Sequence, residues 1–154
     1  MYRRVLVPLD GSPEAEAILP FILQIAGPLD IDVVLLRVVP AVRESEESAS
    51  GPGADVSAID AQEYLAPLAV ELRGRGVRVE AMVRRGPPPD EIIAAAREVS
   101  ADLVAMTTHG RTGLRRLAFG SVAELVLRRA ALPVFLMQAT AADVERRATR
   151  LTSP

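Results

Sequence analysis

Val5-Leu6-Val7-Pro8-Leu9-Asp10-Gly11-Ser12-Pro13 is the stretch on which the fold turns. Three apolar β-formers in a row mark a buried strand, and Pro8 to Gly11 break it into a turn. Ser12 then suits a helix N-cap, with Pro13 at the first helical position, where a missing N–H costs nothing. Ala15, Ile18, Leu19, Ile22 and Ala26 follow at helical spacing. Pro20 lies inside that helix and is expected to kink it, and Gly27-Pro28 to close it. Strand, sharp turn, helix is the opening of a parallel α/β sheet.

The rest of the chain repeats the unit. Val33 to Val39 is apolar except for Arg37, as expected of a strand covered on both faces. Residues 41–57, rich in Ser, Glu, Gly and Pro, show no periodicity and read as a mobile surface loop. Leu65, Leu68, Ala69 and Leu72 mark a second helix, ended near Gly74 and Gly76. Val77 to Arg84 mostly alternates apolar with polar, the pattern of a strand with one wetter face, and belongs at a sheet edge. A third helix is expected from about Asp90 to Val99, a strand at Leu103-Val104-Ala105-Met106, a fourth helix from Ser121 to Ala130, and a last strand at Val134-Phe135-Leu136-Met137. The polar, arginine-rich tail over 139–154 is either a frayed helix or disordered. Strands alternating with helices imply one parallel sheet covered on both faces.

Composition narrows the function. With 154 residues, 49% of them hydrophobic and 25% charged, the chain suits one soluble domain. A net charge of −2 gives no general electrostatic reason to expect nucleic acid. No apolar run is long enough for a membrane span and no signal-peptide core is present, so a cytoplasmic location is expected. The absence of cysteine removes disulfides and thiolate chemistry. All 18 basic residues are arginine, which excludes a Walker A loop and lysine Schiff bases. His109 is the only histidine, so multi-histidine metal sites are excluded too.

In open parallel sheets, ligands bind beyond the carboxyl ends of strands, where the winding direction reverses. Two such places carry suitable residues. Asp10, after the first strand, is placed either to accept ribose hydroxyls or merely to bond its own turn. After the fourth strand, Gly120-Ser121-Val122-Ala123-Glu124 has the form of a capping box, so the helix start offers free amides, a hydroxyl and a positive dipole end, which suit phosphate. Gly110 and Gly113 allow close backbone approach, and Arg111, Arg115 and Arg116 add positive charge. The alternative is an ordinary capped helix after a surface loop, with the arginines forming a solvated face. His109, with no evident partner, reads as a loop-shaping residue rather than a catalyst.

At these residues the chain resembles a known family. Thr107-Thr108-His109-Gly110-Arg111-Thr112-Gly113-Leu114-Arg115-Arg116-Leu117-Ala118-Phe119-Gly120-Ser121 closely resembles the signature segment of the universal stress proteins. Val5 to Ser12 resembles that family's first strand and turn, and Leu132 to Met137 its last strand. The likeness runs in order from about residue 2 to 138. Nucleotide-binding members carry glycine, two residues, glycine, nine residues, then glycine and serine or threonine. Gly110, Gly120 and Ser121 match this pattern, and Thr107 replaces its first glycine, beside the ribose.

The resemblance implies a single doubly wound α/β domain over 1–138, its five-stranded parallel sheet in the order 3-2-1-4-5 with helices on both faces. It implies an adenine nucleotide, ATP, with Pro8, Leu9 and Val38 against the base and Asp10 and Thr107 at the ribose. Gly110, Gly120 and Ser121 would hold the phosphates, with Arg111 an added contact inferred from its charge. Magnesium would enter only through those phosphates. The family order also leaves Val134, Phe135, Leu136 and Met137 on an edge, apolar on both faces. A homodimer through this strand, or cover by the tail, would protect it. Three functions are carried forward: a nucleotide-binding stress or regulatory protein, a dimer that has lost the nucleotide and works through protein partners, and a slow ATPase. The lack of a general base with an orienting partner favours a protein that is not an efficient enzyme.

Overall fold

The structure is a computed structural model that describes residues 1–41, 53–108 and 120–152. Gly110, Arg111 and the rest of 109–119 lie outside the described residues, as does 42–52. The chain runs β1 (Arg4–Leu9), α1 (Pro13–Glu16), α2 (Leu19–Leu29), β2 (Asp32–Val39), α3 (Gly53–Gly74), β3 (Val79–Arg85), α4 (Pro88–Glu98), β4 (Leu103–Thr107), α5 (Ser121–Arg129), β5 (Val134–Met137) and α6 (Ala141–Thr152). All five strands are parallel, in the order β3-β2-β1-β4-β5. The sequence reading of the class and of both edges therefore holds.

Strand alternation divides the core into two layers. Val5, Val7 and Leu9 of β1 point to one face, with Val33 and Leu35 of β2, and pack on Ile18, Ile22, Leu65 and Leu72. Leu6, Val34, Leu36, Val104 and Met106 point to the other, against Ile92, Ala96, Ala123 and Val126. Because both faces are covered, the central strands read as continuous apolar runs. On the first face, the rings of Phe21 and Phe135 stack with centroids 4.5 Å apart and planes 2° from parallel.

Several boundaries differ from the sequence reading. The first helix does not kink at Pro20 but breaks before it: α1 ends at Glu16, and Pro20 sits in the first turn of α2. A proline has no N–H to bond back into the preceding turn, so starting a new helix is the unstrained solution. Gly27-Pro28 does not end α2, which continues to Leu29 and stops at Asp30 in the left-handed conformation, φ 55°. Within the segment read as loop over 41–57, the chain is helical from Gly53. The third helix begins at Pro88, since prolines are tolerated in a first turn.

The tail forms α6. Thr140 and Asp143 cap it reciprocally: the Asp143 amide donates to Thr140 Oγ1 at 3.2 Å and the Thr140 amide to Asp143 Oδ2 at 2.9 Å. The Thr140 hydroxyl, which donates to Asp143 Oδ2 at 2.6 Å, then the Thr140 amide, with Arg146 nearby, hold the Asp143 carboxyl below its ordinary range. Arg147, 2% exposed, fastens α6 to α3 by donating from Nη1 and Nη2 to the two oxygens of Glu71 at 2.6 and 2.7 Å. Bidentate geometry is what allows a guanidinium to be buried at tolerable cost.

Candidate functional site

The two central strands separate toward their carboxyl ends. β1 stays in register with β2 as far as Leu9 opposite Arg37, but it pairs with β4 only at Val5–Leu103 and Leu6–Val104. Pro8 supplies no N–H to either neighbour. A crevice of about 240 Å³ opens at this switch point. Pro8, Leu36, Val38, Ile92 and Met106 give it apolar lining, and Asp10, Arg37, Thr107, Thr108 and Ser121 line it with polar groups.

On the β1 side the turn is fixed locally. Gly11 adopts φ +84°, a conformation a side chain would strain. Ser12 caps α1 by accepting the Ala15 amide at 3.1 Å. Its own amide and hydroxyl donate to Asp10 Oδ1 at 2.9 and 2.5 Å. Asp10 thus does bond its own turn, as one alternative had it. Yet that uses a single oxygen, and Oδ2 has no partner among the described residues.

On the β4 side, Gly120 approaches the backbone closely. Its amide donates to the Thr108 carbonyl at 2.7 Å, and a Cβ built on it would stand 2.8 Å from that oxygen. No real side chain fits there without moving the strand end or the helix. Gly120 is also the N-cap of α5, and it supplies no side-chain bond. This corrects the expected capping box. Ser121 is the first residue inside the helix, exposed at the crevice, and Glu124 pairs with Arg128 at 2.8 Å instead of reaching back. The amides of Ser121, Val122 and Ala123 consequently have no acceptor among the described residues, and all three residues line the crevice. A capping box at this helix would have consumed a donor; its absence leaves the donors open.

Pro8, Leu9, Asp10, Val38, Thr107, Gly120 and Ser121 thus all border one cavity, with Gly110 and Arg111 outside the described residues. Thr107 is 8% exposed, and its hydroxyl makes no hydrogen bond among the described residues. Arg37 was passed over in the sequence as the lone polar exception in its strand. Its Nη1 donates to the Leu9 carbonyl at 3.4 Å, its guanidinium lies against Gly11, and Tyr64 stands beneath it with the ring centroid 5.7 Å away. Tyr64 donates to Glu16 Oε1 at 3.0 Å; burial, reinforced by that carboxylate, pushes its phenol above the ordinary range. A single charge inside an apolar run, next to the sheet's carboxyl end, was the signal available. Among the described residues no group of three or more potential ligands is arranged to hold a metal ion, and no helix is long and apolar enough to cross a membrane.

Fold and crevice together define a doubly wound α/β protein with an open cleft at its switch point. The profile of the universal stress protein family matches residues 1–138, and the chain belongs to that family. Universal stress protein MJ0531 of Methanocaldococcus jannaschii is 30% identical over 141 residues, covering 90% of this chain and 83% of that protein. The solved structure of MJ0577, from the same organism, superposes with a TM-score of 0.80 at 27% identity, over 91% of this chain and 98% of that one. A universal stress protein from Archaeoglobus fulgidus, solved in complex with dAMP, gives a TM-score of 0.65 at 24% identity, over 90% of this chain and 98% of that one.

Proposed function

We propose that the protein binds an adenine nucleotide, ATP, in this crevice and acts as a regulatory or stress-response module rather than as an efficient enzyme. The observation that carries the reading is the meeting of Asp10 and the uncapped start of α5 at one cavity. The base would lie on Pro8, Leu9 and Val38, where apolar walls favour a planar ring over water. The free oxygen of Asp10 would accept from the ribose. The α5 amides, the Ser121 hydroxyl and the helix dipole would hold phosphate oxygens, with Gly110 and Arg111 as further contacts. Magnesium would ride on the phosphates, since the chain offers no site of its own among the described residues. The dAMP complex of the Archaeoglobus relative supports nucleotide chemistry at this fold.

No described residue combines a base near the phosphate position with an orienting partner, so hydrolysis would run far below the usual enzyme range of about 1–1,000 per second. In this reading the protein works in the cytoplasm as a homodimer through Val134, Phe135, Leu136 and Met137, and through protein partners. All four of these residues are only half-buried on the edge strand β5. A purely monomeric sedimentation profile would reject the dimer.

Calorimetric titration with ATP and magnesium tests the central claim. Saturable heat is expected, with a thermal shift equivalent to about 2.7 kcal/mol once ATP reaches 100 times its Kd. Absence of heat and of any shift at millimolar ATP, ADP and AMP would reject it.

A further inference from the structure

We infer that Arg37 is a specificity-determining residue that, together with Asp10, reads the sugar hydroxyls of the bound nucleotide. This inference rests on the nucleotide reading above. Arg37 lines the crevice, in register with Leu9 and with its guanidinium against Gly11, the two residues that precede and follow Asp10. Its only hydrogen bond among the described residues is the long one, 3.4 Å, to the Leu9 carbonyl. It forms no ion pair among the described residues, whereas the partly buried Arg4 and Arg84 and the buried Arg147 each do. Four of its five N–H donors therefore have no partner among the described residues, and the residue lines the cavity.

Asp10 brings the complementary deficiency, one oxygen without a partner among the described residues, in the lining of the same crevice. A pair made of one free acceptor and several free donors matches a vicinal diol. One hydroxyl donates to the carboxylate while the other accepts from the guanidinium. A lone carboxylate would serve either hydroxyl alone and discriminate weakly. The guanidinium is held for this task by the Tyr64 ring below it, itself anchored through Glu16. A site built to bond a hydroxyl rejects the analogue that lacks it, because its own polar groups are left unpaired.

The test compares ATP, 2′-deoxyATP and 3′-deoxyATP by calorimetry on the full chain. The wild type is expected to bind ATP about tenfold more tightly than at least one deoxy analogue, the effect of one charge-assisted hydrogen bond. Arg37→Met, which keeps the aliphatic stem and removes every donor, should weaken ATP to the level of that analogue and leave the analogue unchanged; Arg37→Lys should restore part of the ratio. Equal weakening of all three ligands would show a merely structural role and overturn the inference. Should Arg37→Met fail to fold, Tyr64→Leu, which removes the supporting ring, is expected to narrow the same ratio, and an unchanged ratio overturns the inference. Wild-type protein that binds all three equally overturns it while leaving nucleotide binding intact. Wild-type protein that binds none overturns both.

Discussion

The two ends of the sheet treat polar groups in opposite ways. At the amino ends of the strands nearly everything is spent. Asp102 Oδ2 accepts the Arg3 and Arg4 amides at 2.7 and 2.9 Å, Arg4 donates to the Val99 carbonyl at 2.8 Å, and Arg78 bridges Asp30 and Asp32 at 2.8 and 2.5 Å. At the carboxyl ends of β1 and β4 several groups have no partner among the described residues: one oxygen of Asp10, the Thr107 and Ser121 hydroxyls, most of the Arg37 donors and the first amides of α5. Buried or half-buried polar groups left unmatched lower stability. Among the described residues this chain satisfies them at one end and concentrates the unmatched ones at the crevice, the place where the proposed ligand would supply their partners.

The largest test of this contrast is Gly120→Val. The new side chain meets the Thr108 carbonyl, displaces the α5 start and should cost about 100-fold or more in ATP affinity, near 2.7 kcal/mol. Calorimetry that finds wild-type affinity in this variant would show that the α5 amides do not hold the ligand. Asp102→Ala probes the opposite end. The two amides hold the Asp102 carboxyl below its ordinary range, so the folded state favours the ionised form. That contribution is present above the ordinary carboxylate pKa and disappears as the pH falls through the depressed one. The variant should therefore melt below the wild type at neutral pH and converge with it in acid, while ATP affinity stays unchanged. Altered affinity would mean that the two ends are coupled. The smallest effect is expected from Thr107→Gly, which restores the family's first glycine. A gain of about threefold in affinity, under 1 kcal/mol, should accompany a slight loss of stability as the strand end gains backbone freedom. A much larger gain would favour a wild-type protein that has lost the nucleotide and works through partners alone.

How much of this was legible in the sequence follows from what each signal depends on. Val5–Val7 and Val33–Leu36 could be read because burial on both faces writes an unbroken apolar run, and Val134–Met137 because its four residues are all apolar although half-buried. Strand order could not be read from periodicity, which is blind to neighbours; it came with the resemblance. The start of α3 was hidden because Ser and Gly near Gly53 look like loop composition. Ser121 shows the limit of a short motif. Ser-x-x-Glu fits a capping box, yet the close approach of Gly120 to Thr108 sets the cap one residue earlier. Thr140-Ala141-Ala142-Asp143 went unnoticed, and there the reciprocal cap does form. Asp10 was identified with both of its alternatives, and the structure shows the turn contact without exhausting the carboxylate. Arg37 was missed because only the register beside Leu9 gives its position meaning.

The Arg147–Glu71 clasp also bears on where the protein can be cut. The family profile ends at residue 138, but Glu71 on α3 is bridged by a guanidinium that comes later in the chain, and α6 packs on α1, the helix whose cap is tied to Asp10. A fragment trimmed to the family boundary would strand that carboxylate in a partly buried position and bare the flank of α1. A piece of this protein that keeps the bridge to Glu71 therefore extends past Arg147.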